Sequence, residues 1–312
     1  MPLISICIPT YNRVAGLHRL LQSIIVQQYS NYEVIISDDS TTAEVAHCVQ
    51  HWQSKLPIQY HKNIIPLGSP ANWNKAISLA NGDWIKLMHD DDWLAQPDAL
   101  KQFAYATTTT NASFICSGCT YYHSPYNKMV VAIGKPAEIE KLKQDYTYLF
   151  YNNIVGHPST TLYKKTDIYF DVQFKWVVDV DFYMHYLKQD NTLHYIPQAL
   201  INTGVGEDAI SNQCYKNPNV EIPEYLNMLL KFDAQLLQPS IYVFHCLWTL
   251  VKKFKLTHHT ELKQYGYHKA YPIHLSAIIK AQKKIPRILL KQTPISTYYM
   301  HKLYQKIYNT HA

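Results

Sequence analysis

Three consecutive acids, Asp90-Asp91-Asp92, follow the run Gly82-Asp83-Trp84-Ile85-Lys86-Leu87-Met88. Carboxylates crowded on one turn repel each other unless a cation joins them. The pattern suits a hard divalent ion, Mg²⁺ or Mn²⁺, which takes oxygen ligands, keeps some of its waters and shares substrate phosphates. With a diphosphate as its other ligand, such an ion bridges protein to leaving group and neutralises the charge that develops there. An acidic turn with no ligand is the competing reading. A second acidic cluster, Asp38-Asp39-Ser40, and a polar group, Pro9-Thr10-Tyr11-Asn12-Arg13, stand in comparable settings. Asp179 and Asp181 open the helix-like stretch WVVDVDFYMHYLKQ (176–189), where acids can act as proton acceptors or simply complement the helix dipole. Cys116 and Cys119 form a lone CxxC in a strand-like stretch and read as buried core thiols. The sequence holds no HExxH, GxGxxG, GxxxxGK or GxSxG, which disfavours zinc hydrolases, dinucleotide enzymes, P-loop NTPases and serine α/β-hydrolases.

The elements that must position these groups are legible from periodicity. The apolar runs 3–8, 33–37, 58–60 and 83–88 read as strands. Each is followed by a helix-periodic segment, within 14–28, 41–55, 70–80 and 97–107. Four β-α repeats imply a parallel sheet covered on both faces, with ligands at the carboxyl ends of the strands, where the three polar clusters fall. Strands are expected at 112–122 and 128–134, and helices at 138–152 and 176–189. From 221 onward the chain reads as helical, over 223–237, 241–255, 258–269, 272–284 and 296–307. The predicted organisation is a domain over 1–220 and a helical region over 221–312.

The 312-residue composition, 47% hydrophobic and 17% charged, excludes a disordered or collagen-like chain. Charge divides it in two: residues 241–312 hold eleven Lys, one Arg and a single acid, Glu261, for a net +11, against −5 elsewhere. Such a segment suits an anionic partner, with lipid favoured over nucleic acid because no recognisable nucleic-acid module accompanies it. Homo-oligomerisation through 221–312 is the competing use. No apolar run reaches the ~18 residues of a membrane span. The opening MPLISICIPTYNR lacks a basic n-region, so the expected location is cytoplasmic, with peripheral contact at the inner face of the membrane.

As a set, SICIPTYNR (5–13), VIISDDST (34–41), PANWNKAISLANGDWIKLMHDDDWL (70–94), HPSTTLYKK (157–165) and VVDVDF (177–182) resemble the inverting family 2 glycosyltransferases of the GT-A fold, over roughly 1–215. The likeness is greatest to bacterial members that build lipopolysaccharide, capsule or other surface glycans. It implies an α/β fold, a Rossmann-like mainly parallel sheet flanked by helices, here with a basic helical C-terminal extension. It also implies transfer of a sugar from a nucleotide diphosphate donor to a glycan or lipid-linked acceptor. Pro9, Thr10 and Tyr11 would contact the nucleotide, Tyr11 by stacking on the base. Asp39 would accept a base N–H, which uracil and thymine offer at N3 and cytosine does not; a UDP-sugar is favoured and a dTDP-sugar possible. In the DxD-like acids, Asp92 and Asp90 would hold Mn²⁺ or Mg²⁺, and Asp91 with Asp90 would touch the donor. Asn74, and with weaker warrant Asn72, would border the donor. Asp179 matches the general base, although Val178 replaces the Glu that usually precedes it; Asp181 is the fallback. His157 could flank donor sugar or acceptor. The alternatives are a scaffold with a vestigial donor site and a nucleotidyltransferase, the latter disfavoured because no glycine follows the first strand.

Overall fold

A computed structural model describes residues 1–123, 128–206, 213–233 and 240–308. Two compact units divide the chain, Met1–Tyr146 with Ile154–Ala209, and Thr147–Asn153 with Ile210–Ala312.

The first unit is a nine-stranded sheet in the order β3-β2-β1-β4-β8-β6-β9-β5, with β7 paired to β6. Strands β1 (Ile4–Thr10), β2 (Tyr32–Asp38), β3 (Ile58–Lys62) and β4 (Trp84–Leu87) are mutually parallel. Helices α1 (Val14–Ile25), α2 (Glu44–Gln53) and α3 (Ala71–Ser78) connect them, and α4 (Ala99–Thr109) follows β5 (Asp92–Leu94). All seven residues of β1 are buried, as a central strand covered on both faces requires. Its alternation sorts two cores. Ile4, Ile6 and Ile8 join Val34 and Ile36 under the stripe Leu17, Leu20, Leu21 and Ile24 of α1, with Val45, Val49 and Trp52 of α2 and Phe103 of α4. On the other face Cys7 Sγ lies 3.6 Å from the Ala76 carbonyl of α3.

The second half of the sheet mixes directions. Strand β6 (Phe114–His123) pairs parallel with β9 (Leu193–Val205) and antiparallel with β8 (Thr161–Lys164) and β7 (Lys128–Ala132). Phe114 and Tyr163 meet Phe182 and Tyr186 of α6 (Val178–Gln189) in an aromatic layer with ring centroids 5.0–6.2 Å apart. The expected strands at 112–122 and 128–134 and the helix at 176–189 are present. The register of β6 on β9 slips around Gly118, where a Cβ would come within 2.7 Å of the Ala132 carbonyl oxygen. All six cysteines are free thiols; Cys116 and Cys119 are buried.

The helix expected over 138–152 is shorter. Helix α5 (Pro136–Gln144) ends where Asp145 turns extended, and a 3₁₀ turn, Tyr146–Phe150, follows. Thr147, Tyr148, Leu149 and Phe150 are all buried, whereas α5 buries only the stripe Ile139 and Leu142, so the two stretches have different packing demands. Strands β5 and β9 escape periodicity because β5 is three residues long and β9 carries Pro197 and Gly204.

The second unit holds α7 (Pro218–Asp233), α8 (Ile241–Phe254), α9 (Leu275–Lys283), α10 (Arg287–Lys291) and α11 (Thr293–Tyr308). The stretch expected as a helix over 258–269 is a 3₁₀ segment, His259–Tyr265, stopped by Gly266 at φ 84°. The expected helix end at Leu237 lies outside the described residues. Trp248 ties the unit together: its indole N–H donates to Ser296 Oγ at 2.9 Å and its carbonyl accepts from Gln282 at 2.8 Å. Lys253 pairs with the buried Glu221 at 2.5 Å. No helix among the described residues is long and apolar enough to cross a membrane.

Candidate functional site

The polar clusters gather at the carboxyl ends of β1, β2 and β4. After β1, Asn12 takes the left-handed conformation at φ 56°, which Asn tolerates better than most residues. Its amide N–H donates to Ser40 Oγ (2.8 Å) and its side-chain oxygen accepts from Thr41 N–H (3.0 Å), lacing the β1 and β2 loops. Tyr11, held between them, is 53% exposed, a ring free to meet a planar ligand. Pro9 is buried in β1 opposite Ser37, beyond the last β1–β4 pair.

Asp39 is buried and already committed. Its Oδ2 accepts from the backbone N–H groups of Leu67 and Gly68 (3.0 and 2.8 Å), and its Oδ1 from Asn63 (2.7 Å). Asn72 bridges Asn63 to the Ser37 carbonyl at 3.0 Å each. Asn74 uses both halves of its amide on the backbone of Phe170, at 2.7 and 2.9 Å. Trp73 between them packs on His89, with centroids 4.6 Å apart, and on Phe170 at 5.2 Å.

The three acids after β4 point in three directions. Asp90 Oδ2 turns towards β1, accepting from Thr10 Oγ1 (2.8 Å) and Tyr11 N–H (3.3 Å). Burial, reinforced by the charge of Asp91, raises its pKa to about 7. Asp91 pairs with Arg13 at 2.6 Å, while its carbonyl accepts from Gly204 N–H (3.0 Å) and Arg19 (3.3 Å). Asp92 points inward and is 1% exposed. There it meets two imidazoles: Nδ1 of His157 lies 3.3 Å and Nδ1 of His89 4.0 Å from its Oδ2.

His89, Asp92 and His157 each bring a ligand atom into a cluster within 4.8 Å. Asp92 Oδ1, His157 Nδ1 and His89 Nε2 are buried and lack a hydrogen-bond partner. His157 Nδ1 already faces the Asp92 carboxylate at 3.3 Å, which leaves Asp92 Oδ1 and His89 Nε2 as buried atoms with nothing opposite them; buried polar groups are normally satisfied, so this fits a ligand at the cluster. One carboxylate and two imidazoles form a donor set for a divalent transition-series ion. Burial by itself would raise the pKa of Asp92, but His157 and His89 and a hydrogen bond from Ser159 hold it down. Burial works against the charged ring of His157, yet the Asp92 carboxylate keeps its pKa raised. At His89 burial prevails and lowers it.

Surrounding groups hold this cluster in place. The β5–β9 pairing sets Thr203 opposite Asp92, and Thr203 Oγ1 lies 2.7 Å from Nε2 of His157. Ser159 Oγ accepts from the His89 amide at 2.9 Å. Lys86, fully buried in β4, donates to the carbonyls of Ser159 and Thr161.

Asp179 is half-buried in the first turn of α6, and its carboxylate accepts from Val180 N–H at 2.8 Å. Tyr121 lies within electrostatic reach of both: burial first, then the neighbouring Cys119, and last the charges of Asp92 and Asp179 raise that phenol's pKa. Asp181 is buried and faces His185 at 3.6 Å.

The structure thus brings Asp92 to His157 and His89, and separates Asp90 and Asp91 from that cluster. His89 was missed from sequence, although it sits three residues before Asp92; Arg13 stood in the polar group after β1 without a role, and Lys86 and Thr203 were given none, because their roles depend on contacts distant along the chain.

A parallel nucleotide-fold half, a mixed second half and an acid-imidazole cluster at the strand ends define the class. Residues 5–187 match the sequence model of Glycosyl transferase family 2, and the chain belongs to that family. It is similar to the abequosyltransferase RfbV of Salmonella typhimurium, 32% identical over 49% of this chain and 45% of that protein. It is also similar to the glycosyl transferase WcaA of Escherichia coli, named for colanic acid biosynthesis, 33% identical over 59% of this chain and 65% of that one. The chain therefore spans less than two thirds of either relative. Among solved structures, TarS 1-349 of S. aureus in complex with UDP-GlcNAc aligns over 98% of this chain and 92% of its own, with a TM-score of 0.63 and 18% identity. That likeness shows the GT-A fold.

Proposed function

We propose that this chain is a metal-dependent, inverting glycosyltransferase that moves a sugar from a nucleotide diphosphate donor, a UDP-sugar by preference, to a glycan or lipid-linked acceptor in bacterial surface-polysaccharide synthesis. The observation that carries the reading is the cluster of His89, Asp92 and His157 after β4, each offering a ligand atom within 4.8 Å of the others. The names of the two relatives support the pathway class, and the TarS complex supports the donor class.

His89, Asp92 and His157 would hold the ion, and the two imidazoles favour Mn²⁺ over the oxygen-seeking Mg²⁺. What a bound ion supplies is neutralisation of charge on the departing diphosphate. Tyr11 offers a stacking face to the base. Asp39 keeps one acceptor position, on Oδ1, for a base N–H, while the loop amides on Oδ2 fix the carboxylate's orientation. Asp90 and Asp91 shape the donor edge through Thr10 and Arg13. Asp179 takes the proton from the acceptor hydroxyl as its oxygen attacks C1 from the face opposite the diphosphate, which inverts the anomeric centre. A lipid-linked acceptor would be met at the inner leaflet, and the net +11 of 241–312 supports peripheral contact there.

The test is calorimetric binding of UDP, dTDP, GDP and CMP, each with and without Mn²⁺, to wild type and Asp92→Ala. Mn²⁺-dependent binding of UDP or dTDP that Asp92→Ala abolishes is the expected result. Equal binding with and without metal, or full binding by the variant, would overturn the metal assignment; product anomeric configuration by NMR checks inversion.

A further inference from the structure

In the C-terminal unit, α8, α9 and α10 line a half-open recess of about 260 Å³ whose apolar lining includes the buried Val251 and Leu290, with Lys255, Lys283, Arg287 and Lys291 exposed at it. Five cations line it: Lys252 and Lys255 from the end of α8, Lys283 from the end of α9, and Arg287 and Lys291 from α10. No carboxylate lines it. The nearest acid along the chain, Glu261, is engaged in the turn at 257–258, accepting from the backbone N–H groups of Thr257 (3.2 Å) and His258 (3.0 Å). No described carboxylate forms an ion pair with any of the five cations.

Cations at helix C-termini complement the helix dipole, which accounts singly for Lys252 and Lys255 at the end of α8, Lys283 at the end of α9 and Lys291 at the end of α10. It does not account for Arg287, at the start of α10, nor for five like charges sharing one cavity. Like charges gathered without counter-ions repel, and half-burial already lowers the pKa of Lys252. A ligand bearing two or more negative charges removes that repulsion. The volume lies below the ~300 Å³ at which small-molecule pockets begin, which fits a phosphate or diphosphate better than a whole nucleotide sugar.

We infer that this cavity is a second anion site, distinct from the cluster around Asp92, that receives a phosphate or diphosphate group. Two sources share this chemistry: a lipid headgroup, with Ile288 beside the cavity 71% exposed and able to enter the interface, or a soluble phosphate compound. The inference does not depend on the donor reading.

The test uses the full chain and two triple variants of equal charge change. Lys252→Gln/Lys283→Gln/Arg287→Gln alters the cavity; Lys263→Gln/Lys280→Gln/Lys302→Gln alters the same unit elsewhere. Each is titrated with inorganic pyrophosphate by calorimetry and floated with phosphatidylcholine vesicles with and without phosphatidylglycerol, after circular dichroism has shown that both variants keep the wild-type fold. The cavity variant should lose binding on the order of a hundredfold, from three charges removed, while the control stays within a few-fold of wild type. Vesicle binding that pyrophosphate displaces identifies a lipid headgroup; pyrophosphate binding without flotation identifies a soluble ligand. Equal losses in both variants, meaning diffuse charge, or no binding of either probe by wild type, would overturn the site.

Discussion

Lys86 yields the sharpest quantitative prediction. It is fully buried in β4, donates to the carbonyls of Ser159 and Thr161, and its Nζ stands 4.5 Å from the ring centre of Phe103. Burial pushes its pKa down from 10.5 to about 7, against the pull of the Asp92 charge. Between those two pH values the unfolded chain binds one proton more than the folded chain, so stability rises with pH, by ~1.4 kcal/mol per unit. From about pH 7 to 9 the gain is roughly 2–3 kcal/mol. Lys86→Met strands two carbonyls, costing roughly 1–3 kcal/mol each, and also removes the several-kcal/mol cost of burying an ammonium. The two effects nearly offset at neutral pH. The variant should therefore match wild type within ~1 kcal/mol near pH 7 and fall behind by roughly 2–3 kcal/mol near pH 9. Urea unfolding followed by tryptophan fluorescence at about pH 7, 8 and 9 measures this, and groups common to both proteins cancel in the difference. Parallel stability curves would refute the reasoning, because they would mean that Lys86 stays ionised throughout.

Three further outcomes follow from the same geometry. Asp179→Asn should lower turnover by ~10²–10⁴ while donor binding by calorimetry stays unchanged, as a residue acting only as general base requires; equal loss of donor affinity would count against that role. Thr203→Val removes the partner of His157 Nε2 and should weaken Mn²⁺ binding by ~10–100-fold with little change in melting temperature, measured by electron paramagnetic resonance of free Mn²⁺. Gly16→Ala would place a Cβ 2.2 Å from the Asp90 carbonyl oxygen, so α1 must shift, costing ~1–3 kcal/mol by urea unfolding and weakening UDP binding with it.

Much of the fold could be read in advance because β1 through β4 are continuous apolar runs and their helices carry clear stripes. The order of motifs then placed the acids at the strand ends. What stayed hidden was of another kind. Strand β9 pairs along all of β6, yet Pro197 and Gly204 interrupt its apolar run, so its pairing is set by the neighbouring strand more than by its own pattern. The division of labour among Asp90, Asp91 and Asp92 was equally hidden, since it depends on Thr10, Arg13 and His157, none of them local. His157 alone could not be separated from a structural loop histidine. Only its approach to Asp92 across 65 residues of chain gives it a chemical reading.

The way the cluster is held has a consequence for how the site works. Asp92 enters β5, whose pairing with β9 fixes Thr203 opposite it, and the 157–161 segment is pinned to β4 by Lys86 and to the His89 amide by Ser159. Asp92 is thus placed by strand pairing, His89 by a hydrogen bond from its own amide, and His157 by the Thr203 hydroxyl. On the proposed reading, a set preorganised in this way would spend little binding energy on ordering itself around an ion and a diphosphate. Tyr11 is instead exposed, and the loop that Asp39 gathers carries Ile64, Ile65 and Leu67 at 99%, 75% and 46% exposure. Rigid chemistry at the strand ends beside an exposed rim is the arrangement in which loop residues can change donor and acceptor choice while the acid-imidazole cluster is left untouched.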